Sequence, residues 1–132
     1  MYKFKTILFI LILLSTTLIG QSQGIRLGST ETQIKSEFYT WTFNSNHTTD
    51  GIYYIYSNNY VRGTITYYFN ANNVVNVCKV YPYTQGDLNY FAEEYTKHYV
   101  VISDTQWKAY TSEGIFNIEL IFKDNLSYFI YY

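Results

Sequence analysis

Cys78, His47 and His98 are the residues whose types could supply a nucleophile and its base, and their settings argue against that chemistry. A cysteine nucleophile is normally placed where a helix N-terminus or a neighbouring cation lowers its pKa. Cys78 lies instead in Val77-Cys78-Lys79, inside a stretch that predicts a strand, where it reads as a small residue fitted into a sheet. His98 closes a helical stripe, and a cation there complements the negative end of the helix dipole. His47 opens His47-Thr48-Thr49-Asp50-Gly51, a turn composition first and a His–Asp pair second. The two histidines show no metal-ligand spacing. Glu93 and Glu94 are adjacent on one helix, so their side chains diverge and cannot bracket a substrate bond. Asp104 and Asp124 fall at turns. No glycine-rich phosphate loop, G-x-S-x-G elbow or paired acidic cluster occurs. The expectation is a chain without catalytic residues, metal or cofactor, hence not an enzyme.

Recognition chemistry is better represented. Seventeen Tyr, nine Phe and two Trp make up 21% of the chain. Tyrosine suits strands and tolerates a buried ring with a wet hydroxyl, so a tyrosine-rich sheet and an aromatic recognition face are both open. Tyr, Trp and Arg are the usual anchors of protein interfaces. The expected contact residues are Arg62, Tyr68, Trp107 and Tyr110, on a sheet face that helices leave uncovered.

The elements that must position these residues follow from periodicity. A first helix opens at Gly28-Ser29-Thr30, capped by Thr30 with Gln33 or by Ser29 with Thr32. A second opens at Gly86-Asp87, with Asp87 as its cap and Leu88, Phe91, Ala92, Tyr95 and Tyr99 as one apolar stripe. Elsewhere the period is two. Strands are expected at Tyr39–Phe43, Ile52–Tyr56, Val61–Asn70 and Val74–Tyr81, then at Tyr99–Ser103, Gln106–Thr111, Ile115–Lys123 and Leu126–Tyr132. Asn/Asp turns separate the last two strands of each set. The pattern predicts an α+β fold: two α-β-β-β-β units, about 25–82 and 86–132, forming an antiparallel sheet with both helices packed on one face. The expected core is Ile34, Phe38, Ile65, Phe69, Leu88, Phe91, Tyr95, Phe116, Ile118, Leu120 and Phe122.

Residues 1–22 have the layout of a secretory signal peptide. A basic start at Lys3 and Lys5 precedes the apolar run Ile7–Leu14, too short to span and stop, and Gly20-Gln21-Ser22 offers a small-x-small cleavage site. Cleavage there would leave a single domain, 23–132, with seven basic and ten acidic residues. Such a mildly acidic chain is a poor match for nucleic acid or anionic membranes. One cysteine cannot form an internal disulfide, and none follows the leader to take a lipid. The expected location is exported, periplasmic or extracellular, in a bacterium of low-GC composition.

A leader followed by two αβ-meander units resembles the small exported proteins with a β-lactamase-inhibitor-like or PepSY-like fold. The opening Ile25-Arg26-Leu27-Gly28-Ser29-Thr30-Glu31-Thr32-Gln33-Ile34 is similar to the glycine, hydroxyl, acid, Ile start of such domains. The resemblance covers the architecture of the mature chain and brings no catalytic or inhibitory residues with it. It implies a non-enzymatic, inhibitor- or accessory-like domain that binds another exported or envelope protein. The alternative is a carbohydrate- or envelope-polymer-binding module using exposed aromatics. Partner identity and oligomeric state are open.

Overall fold

A computed structural model describes residues 24–112 and 114–132, so the expected signal peptide lies outside the described residues. Among these residues there are two helices, α1 (Glu31–Glu37) and α2 (Gln85–His98). Eight strands complete the fold: β1 (Asn44–His47), β2 (Tyr53–Ser57), β3 (Gly63–Phe69), β4 (Val75–Pro82), β5 (Val100–Ser103), β6 (Gln106–Thr111), β7 (Gly114–Lys123) and β8 (Leu126–Tyr131). They form one antiparallel sheet in the order β1-β2-β3-β4-β8-β7-β6-β5.

Of the two caps available to α1, Thr30 is used. Its hydroxyl accepts from the Gln33 amide at 3.2 Å and the Gln33 side chain accepts from the Thr30 amide at 2.9 Å, a closed capping box. α2 begins earlier than expected. Thr84, not Asp87, is the N-cap, and Asp87 sits one turn in, its amide donating to the Thr84 hydroxyl at 3.1 Å. The Asp87 carboxylate accepts from that hydroxyl at 2.9 Å and faces the positive end of the helix.

The stretch expected as a strand at Tyr39–Phe43 is not one. Phe38 stacks on Trp41 (centroids 4.1 Å apart, 11° between planes), and the Trp41 amide donates to the Phe38 carbonyl, which turns the chain. Trp41 also packs on Phe43 and edge-on against Tyr60. This ring cluster outweighs the local strand propensity, and the first strand starts only at Asn44. The turn between β7 and β8 is a two-residue loop, Asp124 and Asn125, both at positive φ (52° and 61°), as a tight antiparallel hairpin requires. At Gly63, a Cβ would stand 2.7 Å from the Tyr81 carbonyl oxygen, so only glycine lets β3 start beside β4.

The core lies on one phase of the strands. Ile65 and Tyr67 of β3, Cys78 and Val80 of β4, Phe129 and Tyr131 of β8, Trp107 of β6 and Ile118 of β7 are all buried there. Phe91 and Tyr95 of α2 pack on Tyr60, Trp107, Phe129 and Tyr131, and Ile34 of α1 is fully buried in the same cluster. Phe38 and Phe116 are partly buried against it. Phe122 is not in the core: it is 66% exposed. β6 pairs with β7 only as far as Gln106 opposite Glu119, so Phe122 stands on the overhang of the β7–β8 hairpin, past its neighbour's end.

Candidate binding face of the sheet

The residues that could have formed a nucleophilic site are kept apart. Cys78 is fully buried between Tyr67 on β3 and Tyr131 on β8, and burial pushes its thiol well up, away from the reactive thiolate. His98 is the last residue of α2, with Tyr99 as the C-cap, and lies 3.2 Å from the Glu94 carboxylate. His47 is at the end of edge strand β1, its ring against Tyr53, rather than in the following turn. Asp50 takes the Thr48 hydroxyl as its partner, which lowers its carboxyl pKa. Among the described residues no three His, Cys, Asp or Glu side chains group in a way that could hold a metal ion.

The four expected contact residues separate into two pairs. Arg62 is not on the open face. The strand begins one residue later, and Arg62 has a left-handed backbone (φ 68°) that sends its side chain to α2. There the guanidinium lies 3.3 Å from the Asp87 carboxylate and 4.0 Å from the centre of the Tyr90 ring. Trp107 is only 3% exposed; its indole N–H donates to the Thr96 hydroxyl at 3.2 Å and its ring packs on Tyr95 and Phe129. It belongs to the core because its phase on β6 is that of Ala109, which is also buried. Tyr68 and Tyr110 do occupy the opposite phase, Tyr68 half-buried and Tyr110 exposed beside Ile115. They stand on β3 and β6, four strand spacings or about 19 Å apart.

A continuous aromatic surface surrounds Tyr68. Tyr54 and Tyr56 of β2, Tyr68 of β3, Tyr81 of β4 and Tyr128 of β8 cover four adjacent strands. Tyr54 lies 5.3 Å from Tyr68, and Tyr81 lies 5.2 Å from Tyr128. Lys79 stands at the middle, its ammonium 4.9 Å from the centre of the Tyr68 ring and 5.1 Å from that of Tyr128. Partial burial of the Lys79 ammonium lowers its pKa, and Lys123 lowers it further. Burial raises Tyr68 above the ordinary phenol value, with neighbouring Tyr81 adding to the shift. Beside Tyr68 and Lys79 an open cavity of about 620 Å³ runs to the β3–β4 turn, lined by Asn70, Asn73, Asn76, Val77 and Ile130 as well.

Tyr54, Tyr56, Lys79, Tyr81 and Tyr128 were not among the expected contacts. The signal for them was period two itself: Lys79 and Tyr81 alternate with Cys78 and Val80, and Tyr128 and Ile130 with Phe129 and Tyr131. Compared with known proteins, the chain matches no family model, no curated protein and no solved structure.

Proposed function

We propose that the chain is an exported, non-enzymatic protein-binding domain, inhibitor- or accessory-like, that docks another exported or envelope protein on the tyrosine face. One observation carries the proposal: five tyrosines and Lys79 form an uninterrupted surface across β2, β3, β4 and β8, on the phase opposite the core. Large, stiff, amphipathic side chains of this kind lose little entropy on docking. The neighbouring rings are tilted by 36–39° and offer no coplanar platform for a sugar, which favours a protein partner. The fully buried, protonated Cys78 supports the non-enzymatic part.

In the same proposal the domain is a pair of α-β-β-β-β units with both helices on the core face. Its support is that β1 to β4 and β5 to β8 each pair in chain order and meet at β4–β8. Both helices also send side chains into one buried cluster, Ile34 from α1 and Leu88, Phe91 and Tyr95 from α2. The second reading, a carbohydrate-binding module, is favoured by one feature, the cavity beside Tyr68 with three asparagines on its wall.

The test is capture of partners by the tagged exported protein from envelope extract, followed by calorimetry with the captured protein. Tyr68→Ala and Tyr128→Ala are expected to weaken binding by at least about 30-fold, the level of a hot-spot residue. Lys35→Ala, at an exposed position of α1, and Glu94→Ala, at a half-buried position of α2, are expected to leave it unchanged. Normal binding by both folded tyrosine variants, with loss in the helix variants, overturns the proposal. Tighter binding to glycan fragments than to any captured protein selects the second reading.

A further inference from the structure

The described cations divide sharply by their partners. Arg26 pairs with Glu37 at 2.6 Å, Lys35 with Glu31 at 3.4 Å, Arg62 with Asp87 at 3.3 Å and Lys97 with Glu94 at 3.8 Å. Lys79, Lys108 and Lys123 have no carboxylate within ion-pair distance among the described residues. All three lie on the phase of the strands opposite the core. Lys79 alternates with buried Cys78 and Val80, Lys108 with buried Trp107 and Ala109, and Lys123 continues the phase of Glu119 and Ile121. Most of the described carboxylates are elsewhere: Glu31 and Glu37 on α1, Asp87, Glu93 and Glu94 on α2, and Asp50, Asp104 and Asp124 outside the strands. Among the described residues the single acid within this phase is Glu119, whose carboxylate accepts from the Tyr132 hydroxyl at 3.4 Å. A chain with more acids than bases thus gathers its unmatched positive charge on its tyrosine-covered face.

We infer that the occupant of this face is an acidic protein segment, one that sets carboxylates against Lys79, Lys108 and Lys123 and apolar groups against the tyrosines between them. The inference rests on the docking role proposed above and adds the chemistry of the partner. Lys79 is the anchor. Its ammonium lies against two rings, so it is held in place and partly stripped of water before a partner arrives, which strengthens a contact with an arriving carboxylate. Lys123 is near enough to act on Lys79 electrostatically, so one acidic segment relieves both.

A protein fits better than a polyanion. Lys79 and Lys108 are three strand spacings and two residues of register apart, about 16 Å. Ile130 and Glu119 stand in the row between β4 and β6. A nucleic acid strand carries a charge about every 3.4 Å and would set phosphates against an isoleucine and a glutamate. Isolated carboxylates separated by apolar side chains match the spacing.

The experiment is selection of random 12-residue peptides displayed on phage against the folded exported protein, with winners synthesised and measured by fluorescence anisotropy. The expected winners are richer in Asp and Glu than the starting library and carry at least one aromatic or branched aliphatic residue. Lys79→Met is expected to lower their affinity at least about tenfold, Lys79→Arg to keep it within about threefold, and Lys35→Met to leave it unchanged. Replacing the critical Glu of a peptide by Gln is expected to cost the same factor, and Lys79→Met is then without effect on that Gln peptide, because the pair has already been broken. Winners that are not acidic but still depend on Tyr68 and Tyr128 overturn the acidic partner and leave the docking face standing. Winners indifferent to Tyr68, Lys79 and Tyr128, or no winners, overturn both. A heparin oligosaccharide or a 20-residue oligothymidylate binding more tightly than every acidic peptide overturns the protein assignment.

Discussion

Raising the pH above 10 should unfold this domain cooperatively, because its core depends on phenols that cannot ionise in place. Tyr60, Tyr67, Tyr95 and Tyr131 are buried, and desolvation raises all four well above the ordinary phenol value. Cys78 is raised for the same reason. In the unfolded chain these phenols release protons near pH 10 and the thiol near pH 8.5. Above those values the native state therefore holds more protons than the unfolded state, and stability falls as pH rises. Stability from the phenols is complete below about pH 10 and is lost above it, at about 1.4 kcal/mol per phenol per pH unit. At pH 11 the four phenols together account for about 6 kcal/mol and the thiol for about 3 kcal/mol. A domain of this size is stable by about 5–15 kcal/mol, so the fold should be lost between about pH 10.5 and 12. The assay is tyrosinate absorbance at 295 nm alongside far-ultraviolet circular dichroism. The buried tyrosines should ionise in one step coincident with loss of the dichroism signal. Tyr67→Phe should reduce the slope of stability against pH, measured by urea unfolding, by about 1.4 kcal/mol per unit. Full tyrosine ionisation by pH 11 with native dichroism would refute the burial on which this argument stands.

Tyr95 and Tyr131 satisfy each other's hydroxyls inside the core. Tyr131→Phe should cost about 1–3 kcal/mol by leaving the Tyr95 hydroxyl alone, while the double change to Phe should cost less than the two single changes together; additive urea-unfolding energies would contradict the pair. Phe91→Ala and Leu120→Ala should each cost about 2–5 kcal/mol, against about 0.5 kcal/mol or less for Phe122→Ala. Thermal melts decide this, and a fall for Phe122→Ala equal to that for Leu120→Ala would return Phe122 to the core.

Most of the fold was legible because it is local. The Thr30–Gln33 capping box, the stripe Leu88, Phe91 and Tyr95, and the period-two runs of β3 and β7 are written within a few residues of one another. What local pattern could not show was termination and cover. Tyr39–Phe43 alternates as a strand does, yet Phe38, Trp41 and Tyr60 meet through the tertiary fold and turn the chain there. Phe122 has the core phase but lies past the end of β6, a length set by a different hairpin. The site was half legible for the same reason. Tyr68 and Tyr110 lie on the phase opposite the buried residues of their strands, whereas the place of Arg62 depends on one residue at positive φ and that of Trp107 on which phase of β6 meets α2. Strand order made the largest difference. β4 and β8 are neighbours although far apart in the chain, and only that pairing brings Lys79 beside Tyr128.

An eight-stranded open sheet can take a partner at an edge or on the phase opposite its buried residues, and the two ask for different chemistry. An edge binds through main-chain hydrogen bonds and is largely indifferent to partner sequence. β1, Asn44-Ser45-Asn46-His47, is polar and only four residues long. β5 is apolar at Val100, Val101 and Ile102, but it is equally short and its pairing with β6 shifts register between Val101 and Ser103, which limits a straight ladder. The face has the opposite character. Its main-chain groups are spent within the sheet, so a partner there must be read by side chains alone, by tyrosine rings for area and by lysines for charge. Under the proposed docking role, binding therefore depends on partner sequence and weakens with salt in proportion to the carboxylates used. Binding that survives high salt and tolerates every change on the tyrosine face would instead belong to an edge strand.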